Sequence, residues 1–168
     1  MKISKYTYII ALSFVSIVLF GAACSVPNLN TKDSNSAQPT ADAKNTNKNN
    51  NTKLDLSNQG LIEFPKYVLT KTELQELNLS YNQLSGAIPA EVRQLKNLQK
   101  FNLSHNFMTG LPAEVGQLSE LSELDLSYNR LTGLPYELGN LKNLKVLNLI
   151  GNDYSALDLG IILKSLPN

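Results

Sequence analysis

The chain has 168 residues, of which 42% are hydrophobic, and its 15 basic and 14 acidic residues give a formal net charge of +1. A charge this close to neutral provides no basic excess for binding nucleic acid or anionic lipid. One cysteine and one histidine exclude an internal disulfide and the usual zinc ligand sets. Serine and cysteine catalytic arrangements would have to use His105. We therefore expect no cofactor, no metal and no enzymatic activity.

Residues 1–23 have the three parts of a secretory signal peptide. Lys2 and Lys5 precede an apolar run over residues 9–20, and the small residues Gly-Ala-Ala follow it. A charged start, a short apolar middle and small residues at the cleavage site are typical of such a signal. The run is too short for a comfortable membrane span, which needs about 20 apolar residues. We therefore predict that this segment directs export and is removed.

The sequence GAAC, which ends at Cys24, resembles the lipoprotein box of bacteria. The resemblance implies that Cys24 is lipidated and becomes the mature N-terminus, although Gly21 stands where the family usually has Leu. More than one acyl chain would meet the two-anchor requirement for stable membrane attachment. Ser25 replaces the Asp that favours inner-membrane retention, so the implied location is the bacterial outer membrane or cell surface. The alternative is an unmodified thiol behind an ordinary cleavage site.

The segment after Cys24 has the composition of a disordered spacer. Residues 25–52 are crowded with Asn, Thr, Ser and Lys and contain few apolar groups. Such a segment cannot bury enough apolar surface to offset the entropy lost on ordering. We predict that residues 24–52 form a lipidated, disordered tether with a reach of roughly 30 Å. Without the signal peptide, 13 basic and 14 acidic residues remain.

A segment of about two dozen residues recurs over residues 53–168. Successive copies begin at Leu74, Leu98, Leu121 and Leu144, so the starts are 24, 23 and 23 residues apart. Each copy carries the pattern LxxLxLxxN, and with it this region resembles the leucine-rich repeat family. The Leu-Pro pairs and the 23-residue length resemble its Leu-Pro class, whereas the copy with an extra residue near Ala87 resembles the plant type.

The resemblance implies a fold of the α/β solenoid class, in which short repeats stack into a curved domain. We expect a concave sheet of five parallel strands and a convex side of helical or 3₁₀ turns. Alternating residues such as Leu77 and Leu79 predict half-buried strands. The proline of each copy predicts the start of a convex segment. We call the last residue of the pattern LxxLxLxxN the Asn column, and the resemblance implies that its side-chain amides form hydrogen bonds with the backbone of the turn after each strand. The members of this column are Asn82, Asn106, Asn129 and Asn152, with Gln59 in the first copy.

Both ends of the stack depart from the repeat pattern. The first copy lacks an opening Leu, and Lys71 stands in a column that is otherwise leucine. At the other end, Leu159, Ile162, Leu163 and Leu166 have the spacing of a short amphipathic helix. We predict that this helix caps the stack, with Ser155 or Asp158 at its start and Pro167 beyond its end. The glycines are assigned to the turns between elements.

The concave face is the surface on which we expect partners to bind. Its columns carry charged residues, then Asp or Asn, then Ser, and a last exposed column carries aromatic residues and a surface histidine. Exposed aromatic side chains and arginine are common anchors at protein interfaces. The candidate partner-binding residues are Glu76, Tyr81, Lys100, His105, Glu123, Tyr128 and Arg130.

Three interpretations of this surface remain. The first is a membrane-anchored extracytoplasmic module that binds a protein partner through the concave face. The second is a carbohydrate- or cell-wall-binding envelope protein, in which Tyr81 and Tyr128 stack on sugar rings. The third is a structural envelope protein without a specific ligand, in which Ser, Asn and Tyr at these columns are merely the common residues of the repeat.

Overall fold

The structure is a computed structural model, and it describes residues 52–166. The predicted signal peptide, Cys24 with its predicted lipidation, nearly all of the predicted tether and Pro167 lie outside the described residues. Within residues 52–166, no helix combines the length and the apolar character needed to cross a membrane.

The described residues form a stack of short strands joined by 3₁₀ helices. The strands are β1 (Lys53–Asp55), β2 (Glu76–Asn78), β3 (Ser85–Gly86), β4 (Lys100–Asn102), β5 (Phe107–Met108), β6 (Glu123–Asp125) and β7 (Val146–Asn148). Five of them form a parallel sheet in the order β1-β2-β4-β6-β7. The repeat phase sets the register, since Leu77 lies opposite Phe101, and Phe101 opposite Leu124. The predicted five-stranded parallel sheet is confirmed.

The convex side consists of 3₁₀ helices that each begin after a proline. These helices are η1 (Lys66–Thr70), η2 (Ala90–Gln94), η3 (Ala113–Gln117) and η4 (Tyr136–Asn140). Pro65, Pro89, Pro112 and Pro135 are their N-caps and have extended backbone. Proline has φ near −65° and no N–H to satisfy, which suits this boundary. The predicted starts of the convex segments are therefore confirmed.

The core lies between the sheet and the 3₁₀ helices and is made of the repeated leucines. Leu77, Phe101, Leu124 and Leu147, the middle residues of their strands, are buried. In the first copy, by contrast, Leu54, Leu56, Leu61 and Phe64 are only partly buried. This repeat has a neighbour on one side only within the described residues, as expected for an end repeat.

Helix α1 (Ala156–Ser165) covers the other end of the stack. Leu159 and Ile162 are buried against the core, which confirms the predicted cap. Ser155 is the N-cap residue, because its Oγ accepts the Leu157 N–H at 3.2 Å. At the other end of α1, the Lys142 ammonium donates to the Ser165 carbonyl at 2.7 Å. A cation suits the negative end of the helix dipole.

Two glycines lie inside the 3₁₀ helices and not in turns, so the assignment of all glycines to turns is wrong. Gly116 in η3 and Gly139 in η4 are buried. A Cβ at Gly116 would lie 2.7 Å from the Glu137 carbonyl carbon, and one at Gly139 would lie 2.6 Å from Ser165 Cβ. The absence of a side chain therefore lets η3 approach η4, and lets η4 approach α1.

The longer copy contains a second, two-stranded sheet. β3 pairs with β5 in parallel, and Ser85 lies opposite Phe107. Gly86 has a φ of 70°, a left-handed conformation that glycine adopts without cost. The extra residue, Ala87, follows Gly86 and is exposed, whereas the next residue, Ile88, is buried. The left-handed turn therefore allows one extra residue while the buried column continues.

Candidate protein-interaction surface

The first row of the concave face, the sheet face opposite the core, contains two ion pairs and ends at Val146. Lys53 and Glu76 are 2.9 Å apart, and Lys100 and Glu123 are also 2.9 Å apart. The hydrogen bond and charge of Glu123 raise the pKa of Lys100. The structure therefore brings the predicted residues Glu76, Lys100 and Glu123 into one row. Each of these charges is paired with an opposite charge on a neighbouring strand.

The second row carries carboxylates and amides that brace the chain leaving each strand. Asp125 Oδ1 accepts the backbone N–H of Ser127 at 2.9 Å, and Asn78 and Asn102 make the same contact with the serine two residues on. In β1, the backbone and side-chain hydrogen bonds from Ser57 lower the pKa of Asp55. This row lies in a groove of about 500 Å³ that runs across all five strands.

The serine column does not contribute to this surface, so its assignment to the concave face is wrong. Ser80, Ser104 and Ser127 are buried. Each hydroxyl donates to the Asn or Asp oxygen two residues earlier, at 2.8, 2.8 and 2.6 Å. Small polar side chains that have a local acceptor can be buried here without losing a hydrogen bond.

The Asn column makes the backbone contacts that were predicted. Asn106 is buried, its Oδ1 accepts the Leu84 N–H at 3.0 Å, and its Nδ2 lies 3.0 Å from the carbonyls of Leu79 and Leu103. Asn82, Asn129 and Asn152 have equivalent bonds. Each amide thus links its own turn to the preceding repeat, so the role of this column is structural.

Three aromatic rings stack at the edge of the sheet. The ring centroids of Tyr81 and His105 are 4.1 Å apart with an interplanar angle of 10°, and those of His105 and Tyr128 are 4.5 Å apart with an angle of 19°. Tyr81 and Tyr128 are 55% and 52% exposed. His105 is half-buried, so the expectation of an exposed surface histidine is wrong, because a tyrosine ring covers each of its faces.

The backbone under this stack is left-handed, which the sequence reading missed. Tyr81, His105 and Tyr128 have φ values of 55°, 54° and 53°, so these residues do not continue the strands as expected. Asn58 and Gly151, which occupy the same column in the end repeats, also have positive φ. Because Asn and Gly are the residues that most readily adopt this conformation, their presence in the column was the available signal.

Arg130 and Phe107, each one residue past the Asn column, extend the aromatic surface. The Arg130 guanidinium carbon lies 4.7 Å from the ring centroid of Phe107, which is 44% exposed. We call Tyr81, His105, Tyr128, Phe107 and Arg130 the aromatic edge. The lining of the concave groove includes Glu76, Lys100 and Glu123 but no residue of the aromatic edge. The predicted partner-binding residues therefore form two groups and not one cluster.

Within the part of the chain that the structure describes, no group of three or more His, Cys, Asp or Glu side chains is placed to hold a metal ion.

Comparisons with known proteins identify the repeats. The family model described as "Leucine rich repeat" matches residues 50–108 and 96–153, more than half of the chain. Receptor-like protein 49 of Arabidopsis thaliana is 40% identical over 57 residues, which are 34% of this chain and 7% of that protein. The chain thus spans only a small part of the length of this relative.

Solved structures with this fold come from plants and from a bacterium. One is the LRR ectodomain of the receptor kinase GASSHO1/SCHENGEN3 from Arabidopsis thaliana in complex with CASPARIAN STRIP INTEGRITY FACTOR 2. It is 37% identical with a TM-score of 0.59 over 68% of this chain and 14% of that chain. An LRR protein of Leptospira interrogans is 32% identical with a TM-score of 0.50, over 68% of this chain and 41% of that chain. The chain belongs to the leucine-rich repeat family.

Proposed function

We propose that this chain is a protein-binding module that acts outside the cytoplasm, attached to a bacterial membrane through Cys24. The observation that carries the proposal is the aromatic edge, where the stacked Tyr81 and Tyr128 remain about half exposed beside the concave groove. Tyrosine and arginine are enriched among the residues that contribute most to protein interfaces.

The backbone conformation supports a role for these rings beyond folding. A left-handed backbone costs roughly 1–2 kcal/mol for a residue with a Cβ, and strained residues of this kind concentrate at functional sites. Stacking of aromatic rings stabilises the fold by only about 0.5–1.5 kcal/mol per pair. The end repeats use Asn58 and Gly151 at this position, so the fold does not need an aromatic residue there.

The packing around Tyr128 favours a protein partner over a sugar at this residue. A sugar ring would need a free face of the tyrosine. His105 covers one face of Tyr128, and Gly151 lies against the other side, since a Cβ there would be 2.8 Å from Tyr128 Cδ1. The exposed part of Tyr128 is its ring edge and hydroxyl group, which suit hydrogen bonds and side contacts with a polypeptide.

The size of the surface favours an extended partner. Five strands at about 4.8 Å spacing span roughly 19 Å, whereas a standard interface covers about 800 Å² on each side. A partner that lies across the strands runs parallel to both the groove and the aromatic edge. The GASSHO1/SCHENGEN3 ectodomain, which has the same fold, is itself seen in complex with another chain, CASPARIAN STRIP INTEGRITY FACTOR 2.

Site-specific photocross-linking on intact cells tests the binding surface. A photoreactive phenylalanine derivative is placed at Tyr128 on the aromatic edge or, as a control, at Tyr136 on η4. The two tyrosines are matched in exposure, at 52% and 55%. We expect a discrete cross-linked protein at position 128 only, identified by mass spectrometry. The same products at both positions, or none at 128, would contradict the proposal.

The anchor is tested separately. The apolar run that ends at Cys24 motivates it. Cys24→Ala should leave the precursor unprocessed or release the protein from the membrane fraction. Cys24→Ser controls for side-chain size and should behave in the same way. A variant that matures and partitions into detergent like the wild type would refute lipidation.

A further inference from the structure

The concave face carries two carboxylates that lack a cationic partner. Its six charged side chains include the ion pairs Lys53–Glu76 and Lys100–Glu123, each at 2.9 Å. Asp55 and Asp125 remain, and among residues 52–166 no Lys or Arg nitrogen lies within 4.0 Å of either carboxylate. Because the paired charges compensate each other, the face is left with two negative charges.

Both carboxylates are held in place by hydrogen bonds to their negative form. Asp55 Oδ1 accepts the Ser57 N–H at 2.9 Å, and this serine lowers the pKa of Asp55. Asp125 Oδ1 accepts the Ser127 N–H at 2.9 Å and its hydroxyl at 2.6 Å, while its Oδ2 accepts the Asn148 amide at 3.1 Å. Such bonds fix the position of each carboxylate.

The spacing of the two carboxylates matches the repeat of an extended peptide. Asp55 and Asp125 lie in the same row on β1 and β6, which are three strand steps apart in the sheet. Three steps at about 4.8 Å give roughly 14 Å. An extended chain rises about 3.4 Å per residue and alternates its side chains, so residues four apart are also about 14 Å apart and on the same side.

We propose that the concave face binds an extended peptide segment with two Lys or Arg residues four positions apart. The segment lies across the strands, its two cations face Asp55 and Asp125, and the residue midway between them faces Asn78 and Asn102. This inference rests on the proposed protein-binding function and specifies the partner's chemistry. Three- or five-residue spacing would place one of the two cations on the opposite side of the peptide.

The repeat itself supplies a matched variant, because the same row contains asparagine in other copies. Asn102 Oδ1 accepts the N–H and hydroxyl of Ser104 at 2.9 and 2.8 Å, as Asp125 does from Ser127. Asp55→Asn with Asp125→Asn therefore removes both charges while the bonds from Ser57 and Ser127 remain possible, and only the bond from the Asn148 amide to Asp125 Oδ2 is lost. We expect the unfolding transition of this double variant to stay close to that of the wild type.

The test is selection of a random dodecapeptide phage library on the detergent-solubilised full chain and on the Asp55→Asn, Asp125→Asn variant. Peptides selected on the wild type should be enriched in Lys or Arg pairs at spacing four over spacings three and five, and the variant should lose this preference. A selected peptide, measured by fluorescence anisotropy, should bind about two- to fivefold more weakly to each single variant, as expected for exposed ion pairs.

The outcomes separate this inference from the proposed function. Selected peptides without the spacing preference, or with a preference that survives in the variant, would overturn the cationic motif and leave protein binding intact. A library that yields no peptide retained by the wild-type chain would count against both. Affinity that does not fall with added salt would also contradict an electrostatic contact, since exposed charges are screened.

Discussion

The His105 imidazole lies parallel to the Tyr81 ring, with 4.1 Å between their centroids. Both residues have a left-handed backbone, and each follows a buried serine that is bonded to the second row of the concave face. The turn leaving each strand thus sets the position of each ring. The ring spacing follows the strand spacing of about 4.8 Å, so the stack is built into the repeat geometry.

This backbone conformation predicts an unusual order of stability at position 81. Tyr81→Asn loses one stacking contact but relieves left-handed strain, so the free energy of unfolding should change by less than about 1 kcal/mol. Tyr81→Val loses the same contact and places a β-branched residue at φ near 55°, which should cost about 1–2 kcal/mol more than Asn. Urea unfolding of both variants provides the measurement. Equal stability of the two would contradict the left-handed assignment.

The buried Asn column predicts that loss of a single side-chain amide lowers the free energy of unfolding substantially. Asn106→Ala leaves the buried N–H of Leu84 without its acceptor and removes the donor to the Leu79 and Leu103 carbonyls. Unsatisfied buried groups make a loss of about 1–3 kcal/mol in unfolding free energy the expected result.

The control is Asn97→Ala, because the exposed Asn97 amide donates one bond of 2.9 Å to the Thr72 carbonyl. Exposed substitutions usually change stability by no more than about 0.5 kcal/mol. Equal losses at positions 97 and 106 would show that burial of the column does not matter.

The close approach of η3 and η4 predicts that Gly116 cannot accept a methyl group. A Cβ there would collide with the Glu137 carbonyl, so Gly116→Ala should destabilise the fold by about 1–3 kcal/mol, as overpacking does. Gly133→Ala is the matched control, since a Cβ at Gly133 would meet no atom within 4 Å. Thermal unfolding compares the two. A Gly116→Ala variant as stable as Gly133→Ala would refute the packing account.

The sequence pattern predicts the fold well because the same leucine and asparagine positions recur in each copy. The phase of Leu77, Phe101 and Leu124 decides which side of each strand is buried, and the column of Asn106 marks each turn. The left-handed conformation at Tyr81 was missed because strand alternation was extended past the end of the strand. Asn58 and Gly151 in that column carried the correct signal.

The concave surface was harder to predict from the sequence than the core. A column assignment says which side chains are neighbours but not which of them bond to each other. The burial of Ser104 follows from its bond to Asn102, and the compensation of Lys100 follows from its contact with Glu123. Gly116 was expected in a turn because the sequence of one repeat does not reveal a contact with another repeat. Its close contact with Glu137 is of this kind.

Partner capture by the double variant Tyr81→Asn, Tyr128→Asn tests the central claim most directly. The control is Tyr67→Asn, Tyr136→Asn, which removes two tyrosines of similar exposure, 54% and 55%, from the 3₁₀ helices η1 and η4. Both proteins are immobilised, and the partner identified by cross-linking is quantified after confirming cooperative unfolding. We predict at least about a 30-fold loss of affinity for the first variant, since interface anchors contribute about 2 kcal/mol or more each. Capture near wild type by a folded Tyr81→Asn, Tyr128→Asn protein would show that the aromatic edge is not the binding surface.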